Sequence, residues 1–492
     1  MRAGILLAGL ILAAAAGLRI PRLAQRPMHA DEAILADKFG TLLESHSWKY
    51  DPREYHGPVL LYLTLIPARL AGLRRYADLT ETTLRIVPVL VGLLLVAAPL
   101  ALARGLGRNQ VLAASALTAT SPAMVYYSRY YIPEMLLTCW TAGLIVAGHH
   151  YARTKRAAWG LCGGLFLGLM LATKETALIA AGSMLVALLL TGTRRLPDWR
   201  HLLAALAVAL ALLAVLVGLP ETLQAWRNYY HRGFEEQRHV HAWNYYLRLL
   251  TWSDGPILVL AAVGFAAAIT GKGIGEADGA FIRFLGVYSL AMATAYSLIP
   301  YKTPWCLLGF LHGMILLAGV GIVALARIGL GTVRRLALTA VAAGGAYLLY
   351  QACAASYLYD ADPRNPYAYA HTTRDVYAIR DRLEGLAGAH PKGRSMPVQV
   401  VSSQNLWPLP WYLRSFSRID WHRTVTSEMH PAEVILASPD LEPALIRALY
   451  ELPPPGEREL YMNMFPRKIE LRPGVELRGY VRRSLWEAAL LK

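Results

Sequence analysis

Cysteine is nearly absent: there are four in 492 residues, Cys139, Cys162, Cys306 and Cys353, each within or at the end of an apolar run. That excludes a disulfide framework and a cysteine-based metal site. Charge is also scarce, with 17% charged residues against 55% hydrophobic ones. This balance, with apolar runs spread from the N-terminus to about residue 351, describes a polytopic membrane protein. There is no low-complexity tract and no repeat of about 20 to 50 residues. Acidic residues number 33 against 49 basic ones, a formal charge of +16. The arginines sit in short clusters between apolar runs, which is a topology signal and not a nucleic-acid-binding face.

The first apolar run, residues 4–18, reads as an uncleaved anchor; a cleaved signal peptide is the alternative, and both place Arg19 onward outside. Further runs cover 85–103, 111–127, 135–148, 157–173, 176–190, 202–219, 256–270, 284–299, 305–326 and 336–350, for about eleven spans in all. The run 58–73 is interrupted by Pro67 and Arg69. If it does not cross, the inner loops carry Arg104 and Arg108; Arg153, Lys155 and Arg156; Arg194, Arg195 and Arg200; Lys272; and Arg327, Arg334 and Arg335. The short outer loops then carry mostly the single cations Arg129, Lys174 and Lys302. That is the positive-inside pattern, so 58–73 reads as a surface or re-entrant helix and 19–84 as one large first outer loop. The same parity puts 128–134, 173–175, 220–255, 300–304 and the tail on the outer face.

The chain thus divides into a membrane part, 1–352, and an extracytoplasmic α/β domain, 353–492, large enough at about 140 residues for its own core. Helices are expected at 373–389 and 441–451, and strands at 398–402, 434–437 and 475–482. The tail has no nucleotide-binding glycine fingerprint. Trp407-Pro-Leu-Pro-Trp411 is a rigid aromatic turn, assigned to packing in preference to sugar stacking.

The chemistry is placed in the first outer loop. His29 precedes Asp31 and Glu32, which open a segment whose apolar residues Ile34, Leu35, Phe39, Leu42 and Leu43 recur at helical spacing. An amphipathic helix lying on the membrane is expected there, with both acids in its first turn. Asp31 either caps that helix or performs chemistry. In 128–134, Arg129 and Glu134 lie close to hydrocarbon, where ionisable residues are costly; function is the reading, and interfacial anchoring by tyrosines with Arg129 snorkelling is the alternative. Lys174-Glu175 and Tyr301-Lys302 sit between apolar runs on the same face. Arg129, Lys174 and Lys302 together suit a lipid phosphate, although Lys174 and Glu175 also suit a mutually neutralising pair. Tyr55-His56-Gly57-Pro58 closes the polar part of the first loop. His56 and Asp31 are the candidates for a divalent metal, at a spacing that matches no standard zinc motif. His239 and His241, among Arg227, Arg232 and Arg238, read as a headgroup or acceptor surface.

In order and spacing, Asp31-Glu32 after the first span, Tyr55-His56-Gly57-Pro58, Ser128-Arg129 through Glu134, and Thr173-Lys174 resemble the GT-C superfamily of polyprenyl-phosphate-sugar-dependent glycosyltransferases. That superfamily includes the protein O-mannosyltransferases and the aminoarabinose lipid A transferases. The chain is most similar to a prokaryotic branch known as flippase-activity-associated, which also matches residues 300–305, 407–412 and 471–474. The resemblance implies a mainly α fold with a large first outer loop and a lipid-linked sugar as donor. The implied acceptor is a glycan, lipid or protein at the outer face of the cytoplasmic membrane. It makes Asp31 the catalytic base or acceptor anchor, with Glu32 and Glu134 as supporting acids. His29, Tyr55, His56, Arg129, Lys174, Glu175, Tyr301 and Lys302 become substrate-binding residues. Glu134 stands where the broader family more often has Asp, and Glu175-Thr176 replace its Gly-Pro. The rival reading is a lipid-linked-sugar flippase or its non-catalytic partner.

Overall fold

The computed structural model describes residues 2–54, 56–192, 198–237, 239–329, 331–426 and 432–491. Tyr55, Arg194, Arg195 and Arg238 lie outside the described residues. Each of the eleven expected apolar runs is helical. Among the described residues, six helices are long and apolar enough to cross a membrane: Arg2–Arg19, Glu81–Leu106, Trp199–Leu216, Gly279–Leu298, Pro304–Ala326 and Gly331–Leu358. A seventh span results if Tyr245–Ser253 and Gly255–Thr270, which meet at 104°, are counted together. The remaining runs are shorter or broken, except that the 21-residue helix Glu134–Thr154 is long enough but carries Glu134, His149 and His150 among its apolar residues. Ala157–Thr173 and Ala177–Thr191 have 17 and 15 residues. Arg108–Thr120 stops at Ser121, whose hydroxyl accepts from Met124 N and starts the next helix, with Pro122 supplying no N–H.

The helix Leu308–Ala326 is apolar on every side and runs through the middle of the bundle, whereas Trp199–Leu216 turns Leu202, Leu203, Leu206 and Leu210 outward. An all-round apolar helix belongs in a core or in lipid, and both cases occur here. Val59–Leu70, in the ambiguous run, has 12 residues. At 1.5 Å per residue that is about 18 Å, short of a bilayer core of about 30 Å. The helix Ala30–Ser45 departs from expectation. Ala33, Leu35, Ala36, Phe39, Leu42 and Leu43 are buried inside the protein and do not face a bilayer, because Val59–Leu70 and the tail cover them.

The tail carries strands β1 (Val398–Val401), β2 (Ile419–His422), β3 (Val434–Ala437), β4 (Tyr461–Asn463), β5 (Ile469–Arg472) and β6 (Val475–Arg482). The sheet order is β2-β1-β3-β6-β4, with β1 parallel to β2 and β3, and β6 antiparallel to β3 and β4. β5 pairs with β6 through the two-residue turn Pro473-Gly474, where Gly474 takes φ 80°, a conformation that suits glycine after proline. The expected helices and strands are all present at Asp375–Ala389, β1, β3, Glu442–Glu451 and β6. β2, β4 and β5 are additional; they have only three or four residues, too few for a pattern to stand out. One sheet face, with Val398, Val400, Val434, Leu436 and Val481, belongs to the same apolar core as the membrane helices. The other face, with Val401, Ile435 and Ala437, forms a small separate core with Leu445.

Candidate active site

The first turn of Ala30–Ser45 separates its two acids. His29 caps the helix: its Nδ1 accepts from Asp31 N at 3.1 Å, and its own N–H donates to Glu32 Oε2 at 2.8 Å. Glu32 is completely buried. Arg26 and Arg85 both donate to its carboxylate, at 2.9–3.0 Å, and Tyr131 N donates at 2.8 Å. Burial raises its pKa, but the two guanidiniums outweigh burial and hold it far below the usual carboxylate range. Both oxygens are saturated, so in this geometry Glu32, expected as a supporting acid, holds the loop together.

Adjacent residues on a helix point in different directions, and Asp31 turns outward. Its side chain is 47% exposed, and no described side chain hydrogen-bonds its carboxylate; His29 Nδ1 lies 3.8 Å away. Within electrostatic reach are His239, Tyr301 and Arg472. The Arg472 Nε is buried without a hydrogen-bond partner. Burial lowers the pKa of this guanidinium, and the Asp31 carboxylate opposes the shift.

Other expected residues pair with one another. Lys174 Nζ meets Glu134 Oε1 in a buried ion pair, while Glu134 Oε2 has no partner. Glu134, Thr138, Lys174, Tyr296, Trp305 and Cys306 line a small cavity. Lys174 is therefore neutralised by Glu134 and not by its neighbour Glu175. Glu175 faces the first loop: Tyr50 Oη and His56 N donate to its Oε1 at 3.2 and 2.8 Å, and His56 Nδ1 lies 3.2 Å from Oε2. Burial raises the Glu175 pKa, and the hydrogen bonds and charge of His56 bring it down overall. Gly57 completes the junction. Its N donates to Thr173 O at 3.1 Å, and a Cβ there would fall 1.8 Å from Ala172 O. His56 and Glu175 are thus paired with each other. The expected pairing of His56 with Asp31 around a metal does not fit, and among the described residues no group of three metal-ligating side chains occurs.

Arg129 Nη1 donates to Arg19 O and Pro21 O at 2.7 and 2.8 Å, and its guanidinium lies over the Tyr357 ring. In this geometry it fastens the end of the first span. Lys302 is buried, with Nζ donating to His241 O at 3.0 Å and to Ile299 O, which leaves one ammonium hydrogen free. Tyr301 Oη accepts from Arg232 at 2.6 Å.

The family model described as dolichyl-phosphate-mannose-protein mannosyltransferase matches residues 55–219. No curated protein matches the chain significantly. Among solved structures, ArnT from Cupriavidus metallidurans bound to undecaprenyl phosphate is 17% identical with a TM-score of 0.67, over 97% of this chain and 98% of that one. The Archaeoglobus fulgidus oligosaccharyltransferase AglB, in complex with an inhibitory peptide and a dolichol-phosphate, is 11% identical with a TM-score of 0.59, over 90% and 70%. By fold, the chain is similar to these membrane glycosyltransferase structures along nearly its whole length.

The sequence pattern did not single out Arg26, Arg85 or Tyr369 for the site, and it marked Arg472 only as part of the matched stretch 471–474. Arg85 lies in an apolar run as an isolated cation, the one available signal, and it donates to Leu23 O and Arg26 O at 2.6 and 2.8 Å as well as to Glu32. Tyr369 and Arg472 come from the tail, more than 300 residues from Asp31 in sequence. The tail is anchored beside them: Thr372 Oγ1 donates to Met28 O at 2.6 Å, and Met28 N to Tyr412 Oη at 2.8 Å. Trp411 is fully buried, with Nε1 donating to Glu81 Oε1 at 2.9 Å, in keeping with the packing role expected for it.

Proposed function

We propose that this protein is an inverting membrane glycosyltransferase. It moves a sugar from a polyprenyl-phosphate carrier to a glycan, lipid or protein acceptor at the extracytoplasmic face of the cytoplasmic membrane. The carrying observation is Asp31, whose half-exposed carboxylate has no side-chain hydrogen bond among the described residues and lies within electrostatic reach of Arg472, His239 and Tyr301 from three other parts of the chain. In the reaction, an acceptor hydroxyl or amine attacks the anomeric carbon while Asp31 takes its proton, and the lipid phosphate leaves with the electrons of the broken C–O bond. Charge develops on that phosphate, so fixed cations nearby lower the barrier. Lys302 and Arg472 are assigned to it, with the Lys174–Glu134 pair lining the adjoining cavity. The solved ArnT and AglB structures hold undecaprenyl phosphate and a dolichol-phosphate, which supports a lipid-linked donor.

A flippase calls for charges along a path through several spans. Among the described residues, buried charges such as Arg26, Glu32, Glu134, Lys174 and Lys302 sit in outer loops or at adjoining helix ends. The test is transfer of radiolabelled sugar from a panel of polyprenyl-phosphate monosaccharides to a membrane extract, comparing wild type with Asp31→Asn. Transfer by wild type and its loss in the variant are expected. Undiminished transfer by a folded Asp31→Asn protein would refute the assignment, and lipid binding without transfer by either would favour the flippase reading.

A further inference from the structure

Tyr369 lies between the last membrane helix and the tail helix Asp375–Ala389, and its two polar atoms reach opposite halves of the site. Its carbonyl oxygen is 3.1 Å from His29 Nε2. His29 Nδ1 already accepts the Asp31 N–H, so the hydrogen-bond network places the ring proton on Nε2, which donates it to Tyr369. The imidazole is thereby held at both nitrogens, with Nδ1 3.8 Å from the Asp31 carboxylate. At the other end, the Tyr369 hydroxyl is 2.5 Å from His239 Nδ1 and 3.1 Å from His241 Nε2. One histidine accepts its proton and the other donates to its oxygen. Those two residues hold Lys302: His241 O accepts from Nζ, and His239 O accepts from the Lys302 backbone N at 3.0 Å. His241 N in turn donates to Pro300 O at 3.2 Å. The Trp305 ring packs edge-on against both Tyr369 and His29.

We propose that Tyr369 is a positioning residue that couples the base to the cation: its carbonyl sets Asp31 through His29, and its hydroxyl sets Lys302 through His239 and His241. This rests on the glycosyltransferase reading. It also gives the tail a part in the reaction, because Tyr369 enters the site only when the tail is seated.

The two arms can be cut separately. Tyr369→Phe removes the hydroxyl and keeps the carbonyl and the ring. His29→Asn keeps a good helix cap and loses the reach to Tyr369. With a polyprenyl-phosphate monosaccharide that the wild type accepts, Tyr369→Phe is expected to lower kcat/KM for the donor about tenfold, through a higher donor KM together with a lower kcat, because Lys302 both binds the phosphate and stabilises it as it leaves. His29→Asn is expected to lower kcat about 10- to 100-fold at unchanged donor KM, as a slightly misplaced base would. Tyr369→Phe with both constants at wild-type values, or the two variants changing KM and kcat alike, would overturn the proposal. Hydrogen exchange supplies a readout independent of activity. Faster exchange at residues 239–242 and 300–304 in Tyr369→Phe is expected, and unchanged exchange there would overturn the coupling. Faster exchange alongside a wild type inactive with every donor would uphold the coupling and sink the enzyme reading instead.

Discussion

Asp31 and Glu32 are neighbours with the same chemistry, and the structure gives their amide substitutions opposite consequences. Glu32→Gln removes a carboxylate that both Arg26 and Arg85 touch, the only one they touch among the described residues, and both guanidiniums are buried. Breaking one partner out of a buried ion pair costs about 3–5 kcal/mol, because a charge is left desolvated and uncompensated. The amide also replaces one acceptor oxygen with a donor, facing groups that only donate. A loss at the upper end of that range is expected, roughly several thousandfold in the folding equilibrium. Asp31→Asn touches no hydrogen-bond partner and sits at the surface, so its effect on stability should stay within about 0.5 kcal/mol. The assay is thermal unfolding of the detergent-purified proteins, followed by the fraction that remains monodisperse after heating, with sugar transfer measured below the transition. The expected pattern is a strongly destabilised Glu32→Gln protein, and an Asp31→Asn protein as stable as wild type but inactive. A Glu32→Gln protein that melts with the wild type, or a destabilised Asp31→Asn, would refute this division of labour.

Trp411→Ala empties a fully buried site and removes the bond to Glu81, so a loss of about 3–5 kcal/mol and rapid proteolytic release of the tail are expected, whereas Trp411→Phe should keep the tail protected. Gly57→Ala drives a methyl group into the Ala172 carbonyl, and at a cost of about 1–3 kcal/mol or more it should free His56 from Glu175, seen as faster hydrogen exchange at residues 54–58. Glu32 and Glu175 both titrate below their unfolded values. Their stabilisation is therefore fully present above the ordinary carboxylate pKa of about 4.3 and is lost as pH falls through the folded values. Thermal stability should be flat from about pH 7 to 5 and drop below about pH 4. A decline already complete by pH 6 would show that other groups control it.

Periodicity and composition are local properties, and they sufficed for what is local. The eleven apolar runs are helices, the short 59–70 helix falls where Pro67 and Arg69 weaken the run, and the longer tail elements lie within a residue or two of expectation. The positions that would carry charge near the membrane were legible too, because an ionisable residue between apolar runs stands out against its surroundings. Partners were not legible, since pairing depends on which loops fold onto one another. Lys174 turns to Glu134, 40 residues away, and leaves the adjacent Glu175 to His56. Arg129 fastens the carbonyls at residues 19–22, and Glu32 vanishes between two arginines. From the sequence alone, Asp31 and Glu32 were two adjacent acids on one helical turn. Tertiary structure separated them, because 100° of helical rotation sent one side chain into a desolvated pocket lined by cations and left the other facing the groups that the tail brings in.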